Sequence, residues 1–180
     1  AYYTRCLEAS ERLLGHEHPD TLLAIGNLGR LYTVMGNYEL AEAYCMRCLE
    51  AHERLLGPEH PDTLTAVGNA AVLFEDKGDY MQAEAYYTRC LEASEQLLGH
   101  EHPNTLLAIG NLGRLYTVMG NYELAEACCM RCLEAHERLL GAEHPHTLTT
   151  VGNLGLLYSN KGDYEQAEVY YTRCLKAREQ

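Results

Sequence analysis

The apolar positions of the chain recur at the spacing of helices and not at that of strands. In the first clear stretch they are separated by intervals of three, three, one and three residues, which places them on one face of a helix. This stretch consists of Leu22, Ile25, Leu28, Gly29 and Tyr32. Pro19 lies just before it and Gly36 just after it, as expected for the first turn and the end of a helix.

A second apolar stripe follows Gly36 and is again helical. Asn37 is a favourable N-cap residue, and Asp79, Asn121 and Asp163 stand at the same point of later stretches. The stripe consists of Tyr38, Ala41, Cys45, Cys48, Leu49, His52 and Leu56. We predict a helix of about 16 residues, a tight turn and a helix of about 18 residues, packed as an antiparallel pair.

This helix pair recurs every 42 residues. Residues 1–12 form part of a second helix, and four units follow at 13–54, 55–96, 97–138 and 139–180. The first and third units differ only where Asp20 and Tyr44 become Asn104 and Cys128. A fixed period of this length is typical of a repeat array. We therefore predict an all-α fold, a right-handed α-solenoid of antiparallel helix pairs in which each unit packs on its neighbours.

Composition narrows the classes of partner and compartment. A net charge of −12 disfavours nucleic acid, which requires a basic face. No apolar run approaches the roughly 20 residues that span a bilayer. Five of the eight cysteines share one repeat position: Cys6, Cys48, Cys90, Cys132 and Cys174. Such residues are expected to pack as small buried hydrophobes, which favours a reducing, cytoplasmic location.

Glycines inside the first helix of each unit need a reason, because each costs about 1 kcal/mol relative to alanine. Gly29, Gly113 and Gly155 are expected where the paired helix crosses closely. The second series consists of Gly26, Gly68, Gly110 and Gly152. Two explanations for this second series are possible. Either the helix of the next unit approaches there, or the concave face lacks side chains there so that the backbone of a ligand can come near.

The repeated residues resemble the signature of the tetratricopeptide repeat. Its Leu-Gly, Tyr, Gly, Tyr, Ala and Ala positions correspond to Leu28, Gly29, Tyr32, Gly36, Tyr38, Ala41 and Cys48. The 42-residue period and the GxEHPxT segment resemble the kinesin light chain subclass. Two positions depart from the signature: Ile25 or Val67 replaces its tryptophan, and Cys45 or Cys129 replaces its second-helix aromatic. The resemblance implies a protein-binding scaffold.

An asparagine follows each glycine of the second series: Asn27, Asn69, Asn111 and Asn153. In arrays that resemble this one, the position faces the concave groove and binds the backbone of an extended peptide. A side-chain amide carries both donors and an acceptor, so it can bind a peptide unit of any sequence. The alternative is that these asparagines bond a neighbouring helix and fix the geometry between units.

Arg30 and Arg114 lie one turn further along the same face, where the alternate units have Val72 and Leu156. Guanidinium groups bind carboxylates. We therefore predict that the groove prefers a peptide with acidic and small apolar residues. The alternative is that each arginine belongs to an ordinary surface ion pair.

A metal site is the weaker alternative. Cys45, Cys48 and His52 stand at i, i+3 and i+7 of one helix, a spacing that could supply zinc ligands. Cys129, Cys132 and His136 repeat this pattern. The other explanation is core packing. Similarly, the histidine that precedes each first helix is expected to cap it; these are His18, His60, His102 and His144.

The functional prediction is a non-catalytic scaffold for a protein or peptide, without a cofactor, because every candidate polar residue recurs on the repeat schedule. Ala1 matches Ala85 in mid-helix, so the sequence resembles a segment of a longer array. Terminal helices without a covering neighbour are expected to associate end to end. An architectural or self-associating spacer is therefore the first alternative function.

Overall fold

The computed structural model describes residues 2–178 of the chain, with side chains from residue 5 to residue 177. Within these residues there are nine helices and no strand. The helices are α1 (Tyr2–Leu14), α2 (Pro19–Val34), α3 (Tyr38–Leu56), α4 (Pro61–Lys77), α5 (Tyr80–Leu98), α6 (Pro103–Val118), α7 (Tyr122–Leu140), α8 (Pro145–Lys161) and α9 (Tyr164–Arg178). The predicted all-α class and the lengths of the two helices in each pair are confirmed.

The chain divides into two compact parts, which are larger than the 42-residue repeats. They are called unit 1 (residues 1–93) and unit 2 (residues 94–180) from here on. In unit 1, α2 packs on α3, α3 packs on α4, and α2 also contacts α4. In unit 2, α6, α7, α8 and α9 pack in sequence, and α6 contacts α8. The first helices of successive repeats therefore lie side by side within each unit. The four predicted repeat boundaries stay a prediction.

The starts of the helices are capped largely as predicted. The Nδ1 atom of His18 accepts a hydrogen bond from the backbone N–H of Asp20 at 3.2 Å. The same bond forms at His60, His102 and His144. At the second helices, the side chains of Asn37, Asp79 and Asp163 accept capping bonds. Asn121 is an exception, because its side chain makes no capping bond within the described part of the chain.

The recurrent cysteine is buried, as predicted, at two of its five positions and half-buried at Cys6, Cys90 and Cys174. All eight cysteines are free thiols, and Cys48 and Cys132 are buried. The thiol of Cys48 donates to the Leu22 carbonyl at 3.6 Å, and Cys132 bonds the Leu106 carbonyl in the same way. Burial raises the pKa of the Cys48 thiol to about 11 and that of Cys132 to about 12, so both stay protonated at neutral pH.

The two glycine series have different roles. A Cβ at Gly29 would lie 2.6 Å from the Sγ atom of Cys45, and one at Gly155 would lie 2.7 Å from the Tyr171 ring. The predicted close crossing of the paired helices is thus confirmed. By contrast, a Cβ at Gly68 or Gly110 would meet no described atom within 4 Å. The explanation that the helix of the next repeat approaches this second series is therefore wrong at Gly110, for which that helix is α8.

Candidate functional site

Unit 1 has a cavity of about 520 Å³ beside α2 and α4, the first helices of its two repeats. Unit 2 has a cavity of the same volume beside α6 and α8. Cavity 1 is lined by Glu17, Pro19, Asp20, Leu22, Leu23, Gly26, Asn27, Arg30, Cys48, His52, Leu55, Leu56, Asp62, Thr65, Ala66 and Asn69. Cavity 2 is lined by Glu101, Pro103, Asn104, Leu106, Leu107, Gly110, Asn111, Arg114, Cys129, Cys132, His136, Leu139, Leu140, His146, Thr149, Thr150 and Asn153. The cavities occupy equivalent positions because the sequence repeats with a period of 84 residues.

All six residues predicted to bind a peptide line these cavities. Asn27, Arg30 and Asn69 lie around cavity 1. The corresponding residues of cavity 2 are Asn111, Arg114 and Asn153. None of the six is buried. The structure thus brings the predicted residues together in two sets of three.

The side-chain amides of these asparagines make no hydrogen bond to residues 5–177. Among the described residues, no hydrogen bond involves the side chain of Asn27, Asn69, Asn111 or Asn153. The alternative explanation, in which they bond a neighbouring helix, therefore has no support in residues 2–178. Their donors and acceptors are left to water or to a bound molecule.

Exposed leucines complete each cavity, and the sequence reasoning missed them. In cavity 1, Leu23 is 64% exposed, and Leu55 and Leu56 are each 44% exposed. Their equivalents in cavity 2, Leu107, Leu139 and Leu140, are exposed to a similar extent. The assignment of Leu56 to the packing stripe of its helix is therefore wrong. The sequence did contain a signal for this exposure, because Leu55 and Leu56 are adjacent and cannot both face the same core.

The charged residues at the rim of the two cavities are only partly alike. Glu17 pairs with Arg54 at 2.8 Å in unit 1, and the equivalent Glu101 pairs with Arg138 in unit 2. Cavity 1 also has Asp20 and Asp62, each with a carboxylate oxygen 3.7 Å from the Nδ1 atom of the capping histidine beside it. Cavity 2 has neither of these carboxylates.

Cavity 2 instead carries a histidine cluster. The Nδ1 atom of His136 lies 3.0 Å from the hydroxyl of Thr150, and its ring stacks on that of His146 at 6.2 Å. His146 in turn lies 5.3 Å from the ring of His144. Burial, and secondarily the neighbouring His146 and His144, lowers the pKa of His136. The surroundings therefore favour the neutral form of His136.

The predicted Cys and His half-sites do not converge on a point. Cys45 lies against Gly29, and the thiol of Cys48 donates to the backbone of α2 while lying 3.5 Å from His52 Nδ1. In residues 2–178, no three His, Cys, Asp or Glu side chains form a group that could hold a metal ion. Both thiols are accounted for by the packing of the two helices.

The sequence matches two models of the tetratricopeptide repeat, one at residues 65–117 and 110–180 and the other at residues 21–62. The chain belongs to the tetratricopeptide repeat family. Members of this family are repeat scaffolds that generally serve protein interaction and generally lack catalytic activity. None of the helices within residues 2–178 combines the length and apolar character that a membrane span needs.

Solved structures show the same repeat fold. The nearly identical TPR-like repeats of a kinesin light chain candidate from Podosopora anserina superpose with a TM-score of 0.86 at 21% identity, over 98% of this chain and 83% of that one. BtubC (BKLC) from P. vanneervenii gives a TM-score of 0.81 at 24% identity, over 98% and 70%. The apo form of RapI gives 0.77 at 17% identity, over 98% and 62%. No curated protein matches the sequence. The predicted repeat-solenoid class and its kinesin-light-chain-like kind are confirmed.

Proposed function

We propose that this tetratricopeptide repeat chain is a non-catalytic scaffold that binds an extended peptide in the cavity of each unit. The observation that supports it is the combination, twice over, of unbonded asparagine amides with exposed leucines around one open cavity. Exposed apolar surface rimmed by polar groups is typical of a binding site.

The two kinds of side chain supply different parts of the recognition. The amides of Asn27 and Asn69 can donate to a peptide carbonyl and accept from a peptide N–H, so they hold the backbone of the ligand. Leu23, Leu55 and Leu56 offer apolar surface, and each large aliphatic side chain that a ligand buries there contributes about 1.5–3 kcal/mol. The backbone is thus bound without sequence preference, and the leucines select an apolar anchor.

An open glycine extends the same surface. Gly110 lines cavity 2, and a Cβ there would meet no described atom within 4 Å. The helix therefore has room for a side chain at this position and lacks one. We propose that the missing side chain lets the backbone of the ligand lie close to α6.

The preference for acidic residues is proposed for unit 2. Arg114 lines cavity 2 together with Asn104 and His146, and its guanidinium can bind a carboxylate of the ligand. Arg30 occupies the same position in cavity 1, but there it shares the cavity with Asp20 and Asp62.

We also propose that the protein works in a reducing, intracellular compartment. All eight cysteines are free, and burial raises the pKa of several of them. Residues of this kind serve as packing groups and not as halves of disulfides.

Fluorescence titration tests peptide binding. A fluorescein-labelled library of extended, apolar peptides is titrated against the wild type and against a variant with Asn111→Ala and Asn153→Ala. We expect the variant to bind peptides that occupy unit 2 about tenfold more weakly, since two hydrogen bonds contribute about 1–3 kcal/mol together. Asn160→Ala is the control, because Asn160 is an exposed residue of α8 outside the cavity.

Equal affinity of the wild type and the double variant for every peptide bound in unit 2 would contradict the proposed role of the amides. The variant Arg114→Ala then separates charge recognition from backbone recognition. It should weaken the binding of acidic peptides and leave the binding of neutral peptides unchanged. If no library member binds the wild type, the architectural or self-associating spacer becomes the better account of the chain.

A further inference from the structure

The two cavities share one scaffold but differ in the chemistry of their linings. Of the equivalent lining positions, three carry different residues: Asp20 and Asn104, Asp62 and His146, and Ala66 and Thr150. Everything else at these positions is identical, including the leucines, the asparagines and the arginine. The difference is therefore concentrated in charge and hydrogen bonding at the rim.

Charge is the larger of these differences. The pairs Glu17 with Arg54 and Glu101 with Arg138 are equivalent and cancel in the comparison. Cavity 1 then has two carboxylates, those of Asp20 and Asp62, that are replaced in cavity 2 by Asn104 and His146. The lining of cavity 1 therefore carries two more negative charges than that of cavity 2 when the histidines are neutral.

The two aspartates are placed where a ligand can reach them. The side chain of Asp20 is 71% exposed and that of Asp62 is 67% exposed, so neither carboxylate is used in an ion pair inside the protein core. Their histidine neighbours, His18 and His60, use Nδ1 to cap the helices. Both carboxylates border the same cavity as the exposed side chains of Leu23 and Leu55.

We infer that cavity 1 takes a cationic, apolar peptide segment, in which a lysine or arginine lies beside an aliphatic side chain. The inference rests on the proposed function and names the ligand class for one of the two cavities. The aliphatic group packs on the leucines, the peptide backbone bonds the asparagines, and the cationic group lies between Asp20 and Asp62. Cavity 2, built on the same frame, disfavours this ligand because it lacks both carboxylates.

The expected selectivity is moderate. Two exposed carboxylates near a cation in water give about a tenfold preference at low salt, and the preference falls as ionic strength rises. It is a preference of one cavity relative to the other, so the second cavity serves as an internal reference in the same molecule.

The test uses two small probes, N-acetyl-leucyl-lysine N-methylamide and N-acetyl-leucyl-glutamate N-methylamide. Each carries an aliphatic side chain, peptide units and one charge. Each probe is titrated into the 15N-labelled full chain at low salt and pH 8, where histidine is largely neutral. The side-chain NH2 signals of Asn27 and Asn69 report on cavity 1, and those of Asn111 and Asn153 report on cavity 2.

The matched variant combines Asp20→Asn with Asp62→His. Both replacements occur naturally at the equivalent positions of unit 2, so the scaffold tolerates them. We expect the lysine probe to half-saturate cavity 1 at a concentration about tenfold lower than the glutamate probe does, and we expect the variant to lose this preference. Asp76→Asn, an exposed change outside the cavity on α4, should keep it.

The outcomes separate this inference from the proposed function. If both probes fill cavity 1 of the wild type equally well, or if the double variant keeps the preference for lysine, the charge selectivity is overturned while peptide binding stands. If neither probe shifts any of the four asparagine signals, the proposed function fails, and the inference fails with it.

Discussion

Replacing Gly29 by valine is expected to lower the free energy of unfolding by about 2–3 kcal/mol. Even the first added carbon, Cβ, would lie 2.6 Å from the Sγ atom and 3.2 Å from the backbone N of Cys45. Both distances are shorter than a van der Waals contact, and the backbone of α3 cannot rotate out of the way. The two helices of the first pair must therefore separate, which opens the core that Ile25 and Leu28 share with α4.

A glycine of the second series offers an internal control. Gly68→Ala adds one methyl group in α4, where no described atom lies within 4 Å. It should raise the free energy of unfolding by about 0.5–1 kcal/mol, because alanine loses less backbone entropy than glycine in a helix interior. Urea unfolding followed by circular dichroism measures both variants. A Gly29→Val protein as stable as the wild type would show that the close crossing of α2 and α3 is not present in solution.

Tyr87→Phe is the second substitution with a large expected effect. The hydroxyl of Tyr87 donates to the Oε2 atom of Glu75 at 2.9 Å, and the two residues are only 2% and 9% exposed. Removing the donor leaves a carboxylate with one hydrogen bond fewer in a buried place. We expect a loss of about 2 kcal/mol in the free energy of unfolding, the range for hydrogen bonds to charged groups.

Tyr171→Phe is the matched control for this prediction. Tyr171 occupies the same repeat position 84 residues later, but it is 40% exposed. Its hydroxyl has no hydrogen-bond partner among the described residues. The control should change stability by less than about 0.5 kcal/mol. Equal effects of the two substitutions would indicate that the bond to Glu75 contributes no more to stability than an exposed, unbonded hydroxyl does.

The fold was largely predictable because the signals are local and repeated. The intervals between Leu22, Ile25 and Leu28 specify a helical face. A glycine after each of the helices α1 to α8 and a residue of a capping type before each of the helices α2 to α9 indicate the boundaries. Since these signals recur four times at one period, each repeat supports the prediction made from the others.

Contacts between repeats were not predictable in the same way. Arg47 pairs with Glu11 at 2.6 Å, and the pair recurs one repeat later between Arg89 and Glu53, also at 2.6 Å. That residues 36 positions apart lie side by side can be predicted only when the angle between neighbouring helix pairs is known. The Arg47 guanidinium holds the pKa of the Glu11 carboxyl below its usual value.

The candidate site was predicted in part. The row of asparagines could be found because it recurs at one position per repeat, and the structure places it at two cavities. The exposed leucines were missed because helical spacing placed Leu56 on the packing stripe of α3 and gave no role to Leu23, which is 64% exposed. The contrast between Asp62 and His146 was visible in the sequence, but its meaning depends on both residues lining equivalent cavities.

The most direct test of the central claim is a crystal structure of the chain with its tightest library peptide bound. We predict an extended peptide beside α2 and α4 or beside α6 and α8. Its backbone should be bonded to the amides of Asn27 and Asn69, or of Asn111 and Asn153, and an aliphatic side chain should lie against the cavity leucines. A peptide bound on any other face of either unit, with these asparagines still unbonded, would contradict it.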